Sequence, residues 1–324
     1  MYPADVSQDR PLDVFMAHMD VVFSDETELP LRVEDGRIYC PGVGDDTACL
    51  VCLLLAGKYI ARHVDSPSWR EIRGEDAPGL LLVCNAGEEG LGNLKGVHKI
   101  CEDYGDRMER FCTFDSSLSS IVDRAVGSKR FRVRVRTRGG HSYNDFGNDN
   151  AIACLASLVG ELYGIRVPEG GKTTYNVGMI SGGTSVNTIA QEAEMLYEFR
   201  SDRRENLEYM ERQFMKVIDR GKSEGMDVSL EIIGVRPCEG PVDPKRKQAL
   251  SDWAHRVVEE MTGQAPKHCA GSTDCNIPLS LGIPSVCVGS FRGAGAHTRE
   301  EYVETDSLEE GYKVAFGMIF GSRD

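Results

Sequence analysis

Two histidines and a group of carboxylates stand in five short segments whose residue types suit metal-assisted hydrolysis. The first is Ala17-His18-Met19-Asp20-Val21. Residues i and i+2 of an extended segment share a face, so Asp20 is expected to accept the far imidazole N–H of His18 and strengthen it as a ligand. The second is Gly42-Val43-Gly44-Asp45-Asp46-Thr47. It has neither a GxGxxG pattern nor a GK[ST] ending, and its two aspartates would repel a phosphate. Asp46 or Thr47 is expected to cap the helix that follows, which leaves Asp45 spare to reach a cation. The third, Asn85-Ala86-Gly87-Glu88-Glu89-Gly90, follows an apolar run, where ligands collect in open α/β sheets. Adjacent glutamates there can divide the work, one binding metal and its neighbour moving protons. The fourth, Phe114-Asp115-Ser116, again puts an acid where an apolar strand ends. The fifth, Gly293-Ala294-Gly295-Ala296-His297-Thr298, sets a histidine in a loop of small residues. Singly, each has an ordinary reading as a surface histidine or a solvated turn. Together they form an N/O donor set suited to zinc or a similar divalent ion.

The elements that must position these groups alternate. Residues 13–17 form a short apolar strand running up to His18. Residues 47–62 are apolar almost all round, which predicts a helix buried on most sides. Residues 80–85 and 110–115 are continuous apolar runs, the pattern of buried parallel strands. The pattern resumes with a helix over 245–262, a strand over 285–289 and a helix over 306–319. This predicts an α/β domain, a mixed sheet flanked by helices.

Between them the rhythm changes. Residues 130–138 alternate strictly, with Phe131, Val133 and Val135 on one face and arginines on the other. A helix over 148–163, strands over 173–180 and 193–200, a helix over 205–221 and a strand over 227–235 follow. The order β-α-β-β-α-β predicts an inserted ferredoxin-like domain, 129–237, within a catalytic domain of 1–128 and 238–324. The arginine row is expected to be a solvated sheet face whose charge blocks edge-to-edge pairing, rather than a docking face for an acidic partner.

Composition narrows the function. A net charge of -14 argues against nucleic acid as a partner. No apolar run approaches the ~20 residues that cross a bilayer, and the polar start, residues 1–10, does not read as a signal peptide. Eleven cysteines without paired spacing imply reduced thiols and a cytoplasmic location.

The segments HMD, GVGDD, GEEG, FD and AH, in that order and with the insert between the last two, resemble the co-catalytic zinc peptidase family. That family includes peptidase T, acetylornithine deacetylase, succinyl-diaminopimelate desuccinylase and glutamate carboxypeptidase. The resemblance runs from His18 nearly to the C-terminus. It implies two divalent ions, zinc, with His18 and Asp115 at one, Glu89 and His297 at the other, and Asp45 bridging. It implies Glu88 as general base and Asp20 as the group orienting His18. His141, in Gly139-Gly140-His141-Ser142, would reach a neighbouring subunit's site, and Asn187 and Arg200 would hold a substrate carboxylate. Gly271-Ser272-Thr273-Asp274 resembles a further substrate loop. Two departures are visible: Thr47 stands where the family commonly has lysine, and relatives place a helix and a strand before the His-x-Asp motif. The implied activity is hydrolysis of an amide bond in a small di- or tripeptide by a homodimer joined through the insert. An N-acyl amino-acid deacylase with the same site, or a non-catalytic relative that binds peptide or metal, are the alternatives.

Overall fold

The computed structural model describes residues 10–23, 28–64, 66 and 77–321. All but the last residue of the polar N-terminal stretch noted above lies outside them. The chain divides into two compact units, Met1–Ala125 with Glu239–Asp324, and Val126–Cys238.

The first unit is built on a mixed six-stranded sheet. Its order is Lys267–Gly271, Ser120–Ala125, Ser285–Val288, Met108–Phe114, Leu12–His18, Gly79–Asn85. Leu12–His18 runs parallel to both of its neighbours, and only the pairing of Ser285–Val288 with Ser120–Ala125 is antiparallel. Successive side chains of a strand point to opposite faces, and here both faces are covered. Phe15 and Ala17 enter a core shared with helices Cys49–His63, Pro244–Thr262 and Ser307–Phe320. Leu12, Val14 and Met16 enter a second core against helix Lys95–Tyr104 and the short helix Asn276–Ser280. Pro244–Thr262 starts on the Asp243 carboxylate, which accepts from the N–H groups of Lys245 and Arg246, and stops at the left-handed Gly263. Helix Cys49–His63 departs from the expectation of burial on most sides. Cys49, Cys52, Leu53, Ala56 and Ile60 are buried, whereas Val51, Leu54 and Leu55 are exposed. None of the eleven cysteines is in a disulfide. Cys84 is exposed, and burial pushes the Cys101 thiol up to about 12. No helix of the described residues is long and apolar enough to cross a membrane.

The second unit has the order Asp227–Arg236, Gly127–Arg136, Glu192–Ser201, Thr173–Gly182, with every neighbour antiparallel. Helices Ala151–Tyr163 and Arg204–Ser223 bury one face of this sheet. Phe214 stacks on Phe131 at 4.4 Å and on Tyr197 at 5.2 Å between ring centres. Truncating such a buried aromatic to alanine costs roughly 3–5 kcal/mol.

The opposite face corrects the expectation for the arginine row. Gly127–Arg136 is an interior strand, so its arginines protect no edge. They interleave with glutamates of both neighbours. Arg130 lies 3.3 Å from Glu198, Arg132 lies 3.4 Å from Glu194 and 2.6 Å from Glu231, and Arg136 lies 3.0 Å from Glu192. Opposite charges on adjacent strands each add about 0.2–1 kcal/mol.

Candidate metal centre

Three of the five segments are set by adjacent parallel strands. His18 ends its strand in register with Asn85, so the loop Gly87-Glu88-Glu89 leaves beside it. Asp115 follows Phe114 at the end of the strand on the other side. The remaining two segments are tied by a small four-stranded sheet, Gly293–Ala294, Tyr302–Glu304, Arg37–Tyr39, Arg32–Glu34. It brings the His297 loop against the turn that carries Asp45.

All five expected ligands converge. His18 Nε2 lies 3.1 Å from Asp45 Oδ1 and 3.8 Å from Asp115 Oδ1. His297 Nε2 lies 3.0 Å from Asp45 Oδ2 and 3.1 Å from Glu89 Oε1. His297 adopts a left-handed backbone, φ 65°, a conformation that costs about 1 kcal/mol or more outside glycine. That backbone aims its imidazole at both acids. Among the described residues, ligand atoms also gather within 4.8 Å for Asp45, Glu89 and His297, for His18, Asp46 and Asp115, and for His18, Glu88 and Glu89.

Two features fit divalent metal. His18 Nε2 and Asp45 Oδ1 are buried and make no hydrogen bond among the described residues, despite their 3.1 Å separation. Ligands about 2.0–2.1 Å from a tetrahedral zinc sit about 3.3 Å apart, close to the spacings found here. Charge gives the second feature. Asp45, Asp46, Glu88, Glu89 and Asp115, all buried or half-buried, crowd around two imidazoles, an excess of acids that favours a cation. Burial and then Asp45 raise the Glu89 carboxyl above its ordinary range. Burial and then Asp115 raise Asp46 much further. For Asp45, burial works against ionisation, but the two imidazoles outweigh it and hold its carboxyl low. Burial likewise opposes a charged His18, and Asp115 and Asp45 override it, raising its pKa.

Several details differ from the sequence reading. His18 Nδ1 is 2.9 Å from the Asp20 carbonyl and 3.7 Å from its carboxylate. The Asp20 carboxylate instead accepts backbone N–H bonds from Gly87 and Glu89, each 2.9 Å, and from Glu88 at 3.4 Å. Asp20 therefore shapes the glutamate loop and reaches the imidazole through its main chain, because the strand ends at His18 and the i, i+2 face ends with it. Neither Asp46 nor Thr47 caps the helix. Asp46 is buried and accepts the His18 backbone N–H at 2.8 Å. In the expected substrate loop, Asp274 is fully buried and accepts from Asn85 Nδ2 at 2.7 Å, which makes it a support for the strand end beside His18.

The expected substrate groups lie in the second unit. His141 and Asn187 share a two-stranded ribbon, with His141 paired to Thr188 and Ser142 N–H donating to the Asn187 carbonyl at 3.0 Å. His141 Nδ1 accepts from the N–H groups of Tyr143 and Asn144, which puts the ring proton on Nε2. Arg200 is not with them. It pairs with Ser128 at one end of the sheet, whereas the ribbon comes after Arg136 and before Glu192 at the other. Eight residues of strand separate the two ends, about 26 Å. The Arg200 guanidinium is occupied by Glu198, at 2.9 and 3.1 Å.

The sequence reading missed Glu301. It is 2% exposed and accepts the backbone N–H groups of Gly42, Gly44 and Asp45 at 2.6, 2.9 and 2.8 Å. The available signal was indirect: a Gly-x-Gly turn leaves amides that need an acceptor.

The family model described as Peptidase family M20/M25/M40 matches residues 14–320. The succinyl-diaminopimelate desuccinylase of Bordetella parapertussis is 24% identical over 321 residues, covering 92% of this chain and 79% of its own. That of Nitrosomonas eutropha is 25% identical over 326 residues, 93% of this chain and 80% of its own. Among solved structures, an aminopeptidase from Bacillus cereus superposes with a TM-score of 0.68 at 21% identity, over 97% of this chain and 82% of that one. A dipeptidase from Saccharomyces cerevisiae gives 0.72 at 15% identity, over 98% and 81%. These two structures are similar to the chain in fold.

Proposed function

The chain belongs to peptidase family M20/M25/M40 and acts as an amide-bond hydrolase, and we propose that it uses two zinc ions to cleave a small di- or tripeptide. His18 and Asp115 would hold one ion, Glu89 and His297 the other, with Asp45 placed to serve both. One observation carries this reading: Asp45 turns a separate oxygen toward each imidazole. When bound, such a pair of ions polarises the scissile carbonyl and lowers the pKa of water to roughly 7.

The chain's own residues do the rest. Glu88, buried in the loop that Asp20 holds, takes the proton of the attacking water and returns it to the departing amine. His141 donates a hydrogen bond from its Nε2–H to the developing oxyanion. Asn187 and Arg200 grip a substrate carboxylate, Arg200 exchanging its fork of bonds to Glu198 for the ligand. Since Arg200 and the His141–Asn187 ribbon stand at opposite ends of one sheet, a single substrate meets all three only if a second copy supplies the ribbon. Exposed Tyr143 and Phe146 beside His141, and exposed Met179 and Ile180 on the outer strand Thr173–Gly182, favour such a homodimer through the insert. We place the enzyme in the cytoplasm on its unpaired cysteines.

A second reading, N-acyl amino-acid deacylation by the same site, is favoured by the desuccinylases among its relatives. A panel of dipeptides, tripeptides and N-acetyl and N-succinyl amino acids, assayed with and without zinc, separates the two. Release of a peptide amine supports the first, and release of acetate or succinate the second. No hydrolysis of any member by the zinc-loaded protein refutes both.

A further inference from the structure

Three of the five segments that carry an expected ligand are held by a carboxylate borrowed from another of them or from the chain just beyond it. Asp20, two residues after His18, holds the amides of Gly87, Glu88 and Glu89. Asp46, next to Asp45, holds the amide of His18. Glu301, four residues after His297, holds the amides of Gly42, Gly44 and Asp45. The ties run from the His18 segment to the Glu89 loop, from the Asp45 turn back to His18, and from the His297 segment to the Asp45 turn.

We infer that Glu301 is a positioning residue that sets the Asp45 carboxylate for metal binding, a role that rests on the dinuclear reading of the centre. The arrangement is specific. Its two oxygens serve three converging N–H donors, a charge-assisted set that a neutral side chain cannot reproduce. Its own carbonyl accepts the Cys40 N–H at 3.1 Å, so both its side chain and its main chain bind the turn. Gly44 must be glycine for this approach: a Cβ there would lie 2.7 Å from the Phe291 ring and 3.1 Å from Glu301 Oε1. Asp45, at φ -100° and ψ 91°, and Asp46, at φ -126° and ψ 20°, both leave the helical conformation inside this turn. The Glu301 bonds fix the peptide that precedes Asp45 and so help to set the direction of its carboxylate. Because the tie starts at the His297 segment, it also sets the spacing between His297 and Asp45.

The test compares wild type with Glu301→Gln and Glu301→Asp. Metal-stripped protein is titrated with zinc by calorimetry, and the melting of the stripped protein is recorded alongside. Glutamine keeps the size but presents an N–H₂ to at least one amide donor, and aspartate keeps the charge but is a methylene short. We expect stripped Glu301→Gln to stay folded but to melt below stripped wild type, since a buried amide donor loses its acceptor, and to bind zinc about 10–100-fold more weakly, the range for groups that orient metal ligands. Glu301→Asp falls between the two. Turnover of the variants rises toward wild type as zinc is raised, with KM unchanged. If Glu301→Gln does not fold, Glu301→Asp carries the same expectation of weakened zinc binding. Zinc affinity equal to wild type in the folded variants overturns the inference. A wild type that binds zinc but hydrolyses nothing would sink the functional reading and leave the Glu301 result standing.

Discussion

Asp45 Oδ1 lies 3.1 Å from His18 Nε2 while Asp45 Oδ2 lies 3.0 Å from His297 Nε2, so one carboxylate faces two imidazoles carried 279 positions apart in the chain. A lone ion pair needs one partner. A carboxylate aimed both ways, with Asp115 and Glu89 completing each side, has the form of a group meant to lie between two cations. The proposed mechanism assigns the proton chemistry to Glu88, in the same loop as Glu89.

Replacing Glu88 by glutamine should therefore separate metal binding from turnover. General-base catalysis contributes about 10²–10⁴-fold, so kcat of Glu88→Gln should fall by that order while zinc content stays that of wild type. Kinetics with metal analysis on the same sample reads both. Substantial residual turnover would remove Glu88 from its role.

Chelation should destabilise the fold as well as stop the reaction. The crowded acids repel one another once the cations are gone, and a ligand present at 1,000 times its Kd stabilises the folded state by about 4 kcal/mol. Melting with and without a strong chelator should show a lower Tm for the stripped protein, reversed by added zinc. An unchanged Tm would mean that the cluster binds no metal of consequence.

A shared site predicts complementation. Glu88→Gln and His141→Ala should each be nearly inactive alone. Mixed under conditions that exchange protomers, they should regain activity, because a heterodimer contains one site with both groups intact. No recovery in a mixture shown to be dimeric would confine His141 to a role within its own chain.

Away from the site, Arg110 and Asp13 form a buried pair at 3.2 Å, with the Arg110 guanidinium 4.2 Å from the centre of the Trp253 ring. Removing one partner of such a pair costs about 3–5 kcal/mol, since the other charge keeps its burial and loses its counter-ion. Arg110→Met should lower stability by that amount in urea titration. Arg110→Met with Asp13→Leu should recover much of the loss. A single variant as stable as wild type would show that the pair is dispensable.

Much of this architecture was legible because buried parallel strands write themselves as apolar runs, and the ligands stand at their ends. His18, Glu88, Glu89 and Asp115 could be found that way, and the β-α-β-β-α-β order could be read from periodicity. Pairing between distant segments was not legible. Arg132 meets Glu231 across 99 positions, and nothing in local spacing announces it, so the arginine row passed for an open edge. Asp20 was assigned the correct neighbour but the wrong atom, because the shared face of i and i+2 lasts only as long as the strand. Glu301 sits in Arg299-Glu300-Glu301-Tyr302, where one acid among several gives no sign of the buried amides it serves. Val51, Leu54 and Leu55 made the first helix look buried all round, and burial depends on what packs against each face.

The central claim is most directly tested by diffraction from crystals of the zinc-loaded protein, collected on both sides of the zinc absorption edge. The account predicts two anomalous peaks per chain about 3.5–4 Å apart, one beside His18 and Asp115 and one beside Glu89 and His297, with Asp45 touching both. It also predicts that both weaken in Asp45→Asn. A single peak, or no peak within reach of these five residues, would contradict it.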